Sequence, residues 1–382
     1  MRARRHYAGH VTVLFENART IYGEPLWLLV DAGHFVSTGS GDAPDATARV
    51  DLGGRVVTPG FIDLHAHGAG GHGYDSGPDE MRAGVAVHRA HGTTRSLVSL
   101  VANPLATLRT SLATIAELSR TDPTVLGSHL EGPFLAADRR GAHNLDFLRD
   151  PSLSDIDDLL AAADGTLRLV TLAPELPGAM EAIDAFVAAG VTVAIGHTEA
   201  SYDLAREAFD RGASMLTHAF NAMPGIHHRA PGPVVAAFED ERVTLEIILD
   251  GQHVHPDVAA LAFTAAPGRI ALVTDAMAAA GSTDGDYTLG SLTVSVVNGL
   301  AVLRGTSTIA GSTLTQDAAL RIALDRTSIA PAAVVAALSS TPARAIGLSD
   351  RFGMLAADYP ADFVVLSDDL AVDEVWVAGS RL

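Results

Sequence analysis

The stretch Val56-Val57-Thr58-Pro59-Gly60-Phe61-Ile62-Asp63-Leu64-His65-Ala66-His67 is an apolar run that ends in two histidines separated by one residue. Side chains two positions apart on a β-strand lie on the same face, so His65 and His67 are predicted to project together. A glycine-rich turn at 68–71 follows them directly. The pattern predicts a pair of metal ligands at the carboxyl end of a buried strand.

Further histidines and carboxylates follow other strand-like runs along the chain. They occur in Ser128-His129-Leu130-Glu131-Gly132-Pro133, Ile195-Gly196-His197-Thr198, Leu216-Thr217-His218-Ala219-Phe220-Asn221 and Val273-Thr274-Asp275-Ala276. A single histidine after a strand is usually incidental, but this recurrence is hard to explain by packing. These strand ends are therefore expected to meet in one site.

Composition limits the classes of function. The chain has 382 residues, 48% of them hydrophobic, and a formal net charge of −19. Such a charge disfavours binding to nucleic acid or to an anionic membrane, so an anionic substrate must meet a local positive site. The apolar segment near the N-terminus is too short for a signal-peptide core, and no run reaches membrane-spanning length. A cytoplasmic protein is expected.

The chain contains no cysteine and no lysine. Disulfides, thiolate metal ligands and a cysteine nucleophile are therefore excluded. Schiff-base chemistry, a P-loop lysine and a carboxylated-lysine metal bridge are excluded as well. Among carboxylates close to the histidine motifs, Glu131 is then the best candidate for a metal ligand.

Apolar β-rich segments alternate with alanine-rich segments of helical spacing. Strands are predicted at 56–64, 93–101, 125–130, 167–172, 191–196, 215–220, 244–249 and 270–274. Strands alternating with helices in this way predict a (β/α)8 barrel. A doubly wound open sheet is the alternative, but 68–73 lacks the G-x-G-x-x-G spacing of a dinucleotide-binding loop.

The two ends of the chain do not follow the barrel pattern. Residues 1–55 and 346–382 contain short strand-like runs separated by turns, and we expect them to form one small β-sandwich domain. Residues 56–345 then form the barrel. A β-hairpin insertion near 287–303 is predicted, with Asn298-Gly299 as its turn.

Active residues of such barrels lie at the carboxyl ends of the strands, where the candidate residues fall here. Imidazoles and a carboxylate without thiols suit Zn²⁺ first, with Fe²⁺, Co²⁺ or Mn²⁺ as alternatives. A bound divalent ion lowers the pKa of its water to about 7, and Asp275 could take and return that proton. Metal-assisted hydrolysis is the predicted reaction class. Asp275 could instead be a helix N-cap.

The strand-end order H-x-H, Glu, His, His, Asp, with the terminal β-domain, resembles the amidohydrolase superfamily. Within it the chain is similar to the N-acetylglucosamine-6-phosphate deacetylases over residues 56–345. The motifs that carry this similarity are Pro59-Gly60-Phe61-Ile62-Asp63, His129-Leu130-Glu131-Gly132-Pro133-Phe134, Gly141-Ala142-His143-Asn144, Gly196-His197-Thr198, Thr217-His218-Ala219-Phe220-Asn221-Ala222-Met223, Asp250-Gly251-Gln252-His253-Val254 and Val273-Thr274-Asp275-Ala276.

The resemblance implies a role for each matching position. Ligands of the hydrolytic ion would be Glu131, His197 and His218, and His65 with His67 could hold a second, giving one or two ions per subunit. Asp275 would transfer the proton, and His143 and His253 would contact the amide carbonyl. The remaining substrate contacts would come from Ala142, Asn221, the backbone of Ala222, Arg229 and the loop Ile309-Ala310-Gly311.

The implied reaction is hydrolysis of N-acetylglucosamine 6-phosphate to glucosamine 6-phosphate and acetate, in amino-sugar catabolism and cell-wall recycling. Arg229 supplies the planar donor fork that a phosphate needs. A homodimer is expected, with the phosphate site close to the subunit boundary. The alternatives are another amidohydrolase acting on cyclic amides or N-acyl amino acids, and a catalytically silent binding barrel.

Overall fold

The computed structural model describes residues 11–382, so the first ten residues of the predicted 1–55 segment lie outside the described residues. In chain order the strands are β1 (Val13–Arg19), β2 (Pro25–Asp31), β3 (His34–Gly39), β4 (Ala48–Asp51), β5 (Val56–Pro59), β6 (Phe61–Asp63), β7 (Gly68–Ala69), β8 (His72–Gly73), β9 (Thr93–Leu100), β10 (Val125–Glu131), β11 (Leu167–Leu172), β12 (Thr192–Ile195), β13 (Met215–Leu216), β14 (Thr244–Ile247), β15 (Ile270–Leu272), β16 (Gly285–Leu289), β17 (Leu292–Val297), β18 (Leu300–Leu303), β19 (Phe363–Leu366), β20 (Val372–Val377) and β21 (Ser380–Arg381).

The helices lie between and after the strands. They are α1 (Pro78–Ala90), α2 (Leu105–Thr121), α3 (Leu153–Ala163), α4 (Ala179–Ala188), α5 (Tyr202–Asp210), α6 (Gly232–Glu239), α7 (Pro256–Ala265), α8 (Gln316–Arg326), α9 (Pro331–Leu338) and α10 (Ser340–Ala345), with short 3₁₀ helices at Tyr74–Ser76, Ala137–Arg139 and Leu145–Phe147. Within residues 11–382, no helix combines the length and the apolar character needed to cross a membrane.

Eight strands form one parallel sheet in the order β6-β9-β10-β11-β12-β13-β14-β15. Backbone hydrogen bonds just beyond the strands join its two edges. The Asp275 N–H donates to the His65 carbonyl at 2.8 Å, and the His67 N–H donates to the Ala276 carbonyl at 2.7 Å. The predicted (β/α)8 barrel is confirmed, and its closure brings His65 and His67 beside Asp275.

A separate β-rich domain contains strands from both ends of the described chain, as predicted. Its sheet has the order β21-β20-β19-β5-β1-β2-β3, and β4 pairs with β1. Aromatic rings fill its own core: the rings of Phe15 and Phe363 are 5.0 Å apart between centroids, and Trp376 stacks on Phe363 at 5.5 Å. The domain therefore has a hydrophobic core distinct from that of the barrel.

The apolar run that opens the barrel is divided between the two sheets. Strand β5 pairs with β19 in the terminal domain, whereas β6 pairs with β9 in the barrel. Gly60 separates them, and a Cβ atom at this position would lie 2.1 Å from Thr94 Oγ1, so only glycine fits. The prediction of one continuous strand over 56–64 is wrong, because the chain changes sheets at Gly60.

A buried ion pair also connects the domains. Arg95, on β9, places Nε 2.7 Å from Asp362 Oδ2, and Nη2 donates to Oδ1 of the same carboxylate at 3.1 Å. Both side chains are buried, and the Asp362 carboxylate also accepts the Ala378 N–H at 2.8 Å. Such a paired, hydrogen-bonded charge fixes the relative position of a barrel strand and the terminal sheet.

A three-stranded antiparallel sheet of β16, β17 and β18 follows the last barrel strand. Asn298 and Gly299, between β17 and β18, have φ values of 51° and 75°, as a two-residue hairpin turn of this kind requires. Leu289 and Val294 of this sheet belong to a small apolar cluster with Met277, which lies just after β15. This cluster places the insertion next to the carboxyl end of the barrel.

Candidate active site

The histidines and acids that the sequence analysis selected converge at the carboxyl end of the barrel. Glu131 is the last residue of β10, and His197 and His218 each lie two residues beyond a strand, β12 and β13. His65 and Asp275 follow β6 and β15, at the two edges that close the barrel. Residues from distant parts of the sequence thus share one small buried volume.

The Glu131 carboxylate lies at the centre of this group. Its Oε1 atom is 3.0 Å from His197 Nε2, 3.1 Å from His218 Nε2 and 3.3 Å from His65 Nε2. Its Oε2 atom is 3.2 Å from His67 Nε2 and 3.4 Å from His143 Nε2. One acidic group therefore faces five imidazoles.

The donor atoms fall into two overlapping groups that could each hold a cation. His65, His67, Glu131 and Asp275 offer one group of ligand atoms that lie within 4.8 Å of one another, and Glu131, His143 and His197 offer the other. Imidazole nitrogens also face each other directly, since His218 Nε2 is 3.0 Å from His197 Nε2. Clustered imidazole and carboxylate donors fit a divalent metal ion.

Three of these residues have a backbone conformation that is rare outside glycine. The φ angles are 49° for His197, 26° for His218 and 47° for Asp275. Each residue held there costs about 1–3 kcal/mol, and such residues concentrate at functional sites. The strand predicted over 215–220 is too long, because β13 ends at Leu216 and the backbone then leaves the β region.

Hydrogen bonds on the far side of the rings orient several imidazoles. His197 Nδ1 lies 2.8 Å from the Arg139 carbonyl oxygen and must donate to it, which leaves the Nε2 lone pair facing Glu131. In His143 the two ring nitrogens have the opposite roles. The Ala102 backbone N–H donates to its Nδ1 at 3.2 Å, so neutral His143 carries its proton on Nε2 and can donate toward the site.

Electrostatics keeps the carboxylates ionised. Burial opposes the charged form of Glu131, but His65 and the hydrogen bond from His143 outweigh it and hold the pKa of this carboxyl well below its usual range. Asp275 behaves likewise: burial would raise its pKa, yet His65 and the hydrogen bond from His67 lower it. Two anions inside a ring of imidazoles provide the negative field that a divalent cation requires.

His253 occupies a different environment. Its Nδ1 lies 2.7 Å from Asp250 Oδ2, and the backbone N–H of His253 donates to Oδ1 of the same carboxylate at 2.8 Å. Burial disfavours the imidazolium, but the bond to Asp250 prevails and raises the pKa of His253. This histidine is therefore a candidate cationic donor, whereas burial lowers the pKa of His143 to about 4 and keeps it neutral.

A cavity of about 470 Å³ opens above this group. Its walls include most of the predicted substrate-binding positions; those that line it are Ala142, His143, Asn221, Ala222, His253, Ile309 and Gly311. Ala310 is fully buried and does not line the cavity. The size is that of a small-molecule site.

Arg229 does not line this cavity of its own chain. The residue is exposed, and its Nη1 lies 2.7 Å from His228 Nε2. Two other arginines, Arg139 and Arg140, do line the cavity, and the sequence analysis gave them no role. Their position directly before the Gly141-Ala142-His143 motif was the available signal.

The sequence analysis also missed Glu246, which is completely buried on β14. Its Oε2 lies 3.1 Å from His65 Nδ1. The available signal was a single carboxylate inside the otherwise uncharged, β-rich stretch 244–249. His129, in the same motif as Glu131, has a different environment. Its Nδ1 lies 2.9 Å from Ser99 Oγ, and its Nε2 lies 2.9 Å from Thr171 Oγ1.

Known proteins resemble this chain over nearly its whole length. The sequence pattern of the amidohydrolase family matches residues 56–382. An N-acetylgalactosamine-6-phosphate deacetylase from Escherichia coli O157:H7 is 40% identical over 330 residues, which is 85% of this chain and 87% of that protein. The human N-acetylglucosamine-6-phosphate deacetylase is 35% identical over 401 residues, covering 99% of this chain and 97% of its own length.

Solved structures show the same similarity. A variant of the N-acetyl-D-glucosamine-6-phosphate deacetylase from Mycobacterium smegmatis, in complex with N-acetyl-D-glucosamine-6-phosphate, superposes with a TM-score of 0.91 at 42% identity. The match covers 97% of this chain and 99% of that one. The deacetylase from Thermotoga maritima superposes with a TM-score of 0.87 at 27% identity, over 96% and 99% of the two chains.

Proposed function

The chain belongs to the amidohydrolase family, and from this membership we propose that it hydrolyses the acetamide of N-acetylglucosamine 6-phosphate to glucosamine 6-phosphate and acetate. The observation that carries the proposal is the buried Glu131 carboxylate within 3.4 Å of five imidazoles, beneath a cavity of about 470 Å³. The expected cytoplasmic location, and the roles in amino-sugar catabolism and cell-wall recycling, stay predictions.

We assign the hydrolytic metal ion to Glu131, His197 and His218. Zn²⁺ is the ion that their donor types favour, and His65 with His67 could hold a second ion. When bound, a divalent ion supplies Lewis-acid polarisation of the amide carbonyl and acidifies the attacking water. Because the carboxylate and the imidazoles are already within contact distance of one another, little rearrangement is needed to surround a cation.

The chain's own residues supply proton transfer and polarisation. Asp275 is ionised and lines the cavity, so it can accept a proton from the attacking water and deliver it to the leaving amine nitrogen. His143 can donate from Nε2 to the carbonyl oxygen as negative charge develops there. His253, held by Asp250, presents a second donor to the same cavity.

We place the phosphate near Asn221 and the backbone of Ala222, at the cavity wall. Arg229 follows them closely in sequence, yet it does not line the cavity of its own chain. We therefore propose that the protein is a homodimer in which Arg229 of one protomer completes the phosphate site of its partner. The exposed Ile226, on the same loop, is consistent with a subunit contact.

N-acetylgalactosamine 6-phosphate is a second candidate substrate, because one relative at 40% identity is an N-acetylgalactosamine-6-phosphate deacetylase. The two substrates differ only in the orientation of the C4 hydroxyl. Hydrolysis of cyclic amides or N-acyl amino acids is less well supported, because the relatives at 40% and 35% identity are both named as deacetylases of an amino-sugar 6-phosphate. The similarity to named deacetylases also argues against a catalytically silent barrel.

The decisive test is a steady-state assay with metal analysis of the same sample. N-acetylglucosamine 6-phosphate is expected to release acetate with a much higher kcat/KM than N-acetylglucosamine, and the protein should contain a divalent metal. A kcat/KM that is higher for N-acetylgalactosamine 6-phosphate would reassign the substrate. Absence of acetate release from either phosphate by metal-loaded protein would contradict the proposal.

Replacing Arg229 with alanine is expected to raise KM for the 6-phosphate substrate strongly and to leave the poor activity on the unphosphorylated sugar almost unchanged. Loss of one partner of a desolvated charged pair costs about 2–5 kcal/mol, and this partner binds without taking part in the chemistry. The measurement is KM and kcat on both substrates.

Arg140→Ala is the matched control for this experiment, because Arg140 lines the cavity of its own chain. A larger rise in KM for Arg140→Ala than for Arg229→Ala would place the phosphate site within one chain. Equal losses on both substrates for Arg229→Ala would mean that Arg229 supports the fold.

A further inference from the structure

Glu246 is a buried acidic residue on β14 to which the proposed reaction assigns no role. It lies between Leu245 and Ile247, and its side chain has no solvent exposure. Its Oε2 contacts two groups of the site, while Oε1 has no hydrogen-bond partner among the described residues. Burying a carboxylate costs free energy, which its hydrogen bonds and ionic contacts must offset.

The first contact is with the ring of His65. Glu246 Oε2 lies 3.1 Å from His65 Nδ1, on the side of the ring opposite the cluster. His65 Nε2 lies 3.1 Å from His67 Nε2 and 3.4 Å from Asp275 Oδ1. A proton held on Nδ1 by Glu246 leaves the Nε2 lone pair free for a cation.

The second contact is with the backbone of another proposed ligand. The His218 N–H donates to the same Oε2 atom at 3.2 Å. His218 has φ of 26°, a conformation that needs support from its surroundings. One oxygen atom of Glu246 therefore connects His65, near Asp275, with the backbone that directs His218 toward Glu131.

We propose that Glu246 is a positioning residue for a second divalent ion, which it acts on through His65. It fixes the tautomer and orientation of His65, so that His65, His67, Glu131 and Asp275 form a competent ligand group. The inference rests on the proposed metal dependence of the reaction and adds a residue that the motifs do not contain. It predicts that the purified protein holds two ions per chain.

The test measures metal binding and does not depend on catalytic activity. Purified, metal-loaded protein is titrated with a chelator, and the Zn²⁺ remaining per chain is measured by mass spectrometry. Wild type should release two ions in two steps. Glu246→Leu, which removes the acceptor, should weaken binding of the first-released ion by about 10–100-fold, the usual effect of losing an outer hydrogen-bond partner of a metal ligand.

Two further variants separate positioning from a general structural effect. Glu246→Gln keeps an acceptor oxygen for His65 Nδ1 and should retain more of the affinity than Glu246→Leu. Ile247 is the next residue on the same strand, so its side chain lies on the opposite face of the sheet from Glu246. Ile247→Val changes core packing on that face and should bind both ions as wild type does. Thermal unfolding of all variants reports any loss of stability that is separate from metal binding.

A double variant keeps the inference testable if Glu246→Leu does not fold. His65→Asn should lose the second ion, and adding Glu246→Gln to it should not weaken the remaining ion further. The proposal is overturned if wild type holds one ion, if His65→Asn keeps two, or if Glu246→Leu binds both with wild-type affinity. Two ions in a protein without deacetylase activity would instead contradict the proposed function alone.

Discussion

Substitution of Asp275 by asparagine is expected to reduce kcat by about 10²-fold or more, because loss of a general acid–base group typically costs that much. The carboxylate is the proposed carrier of the proton from water to the leaving amine. His65 and the hydrogen bond from His67 hold its pKa low against the effect of burial, so it is ionised and ready to accept a proton. An asparagine side chain retains the shape but cannot carry the proton.

The measurement combines kcat with metal analysis. The hydrolytic ion should stay bound at near the wild-type level, because its proposed ligands are Glu131, His197 and His218 and do not include Asp275. Asp158→Asn makes the same change in charge on the exposed surface of α3 and should leave kcat unaltered. Near-normal turnover of Asp275→Asn would remove Asp275 from the mechanism.

The second large effect is expected at Glu131. Glu131→Gln replaces the carboxylate that faces five imidazoles by a neutral amide. Metal affinity should fall by more than about 100-fold, because the only charged ligand of the hydrolytic ion is neutralised, whereas loss of a residue that merely hydrogen-bonds a ligand costs about 10–100-fold. Deacetylase activity should fall with metal content. The measurement is metal per chain after dialysis without chelator, followed by activity at increasing Zn²⁺.

Variants of the neighbouring histidines make this prediction specific. His197→Asn and His218→Asn should also lose the hydrolytic ion, whereas His65→Asn should affect only a second ion. A metal-free His65 variant together with a fully loaded His197 variant would reverse the assignment of the two positions. Full metal retention by Glu131→Gln would show that this carboxylate is not a ligand.

Much of the fold could be predicted because its signals are local. Apolar β-rich runs alternate with alanine-rich helical segments, and this alternation indicates parallel strands joined by helices. The alanine-containing segment 153–163 is an example, because it forms helix α3 (Leu153–Ala163). Strand limits were less accurate. The β13 strand ends at Leu216, although the predicted strand continues to Phe220, because positive φ angles at His218 and Phe220 end the strand.

The candidate site could be predicted in part for a related reason. In a parallel barrel, the carboxyl ends of all strands lie at one end, so residues at those ends must be neighbours. This rule selected His65, Glu131, His197 and Asp275 without knowledge of any contact. It could not indicate Glu246, which lies within β14 and has no motif around it.

The sequence by itself determined the chemistry available to this protein: imidazoles and carboxylates at strand ends, and neither lysine nor cysteine anywhere in the chain. Tertiary structure alone decided which of these groups meet. His65 and Glu246 are 181 residues apart, and their 3.1 Å contact depends on strand order and barrel closure. The tertiary structure likewise leaves Arg229 outside the cavity of its own chain. Local patterns encode residue type and strand direction, whereas distances between remote side chains follow only from the closed packing of the whole barrel.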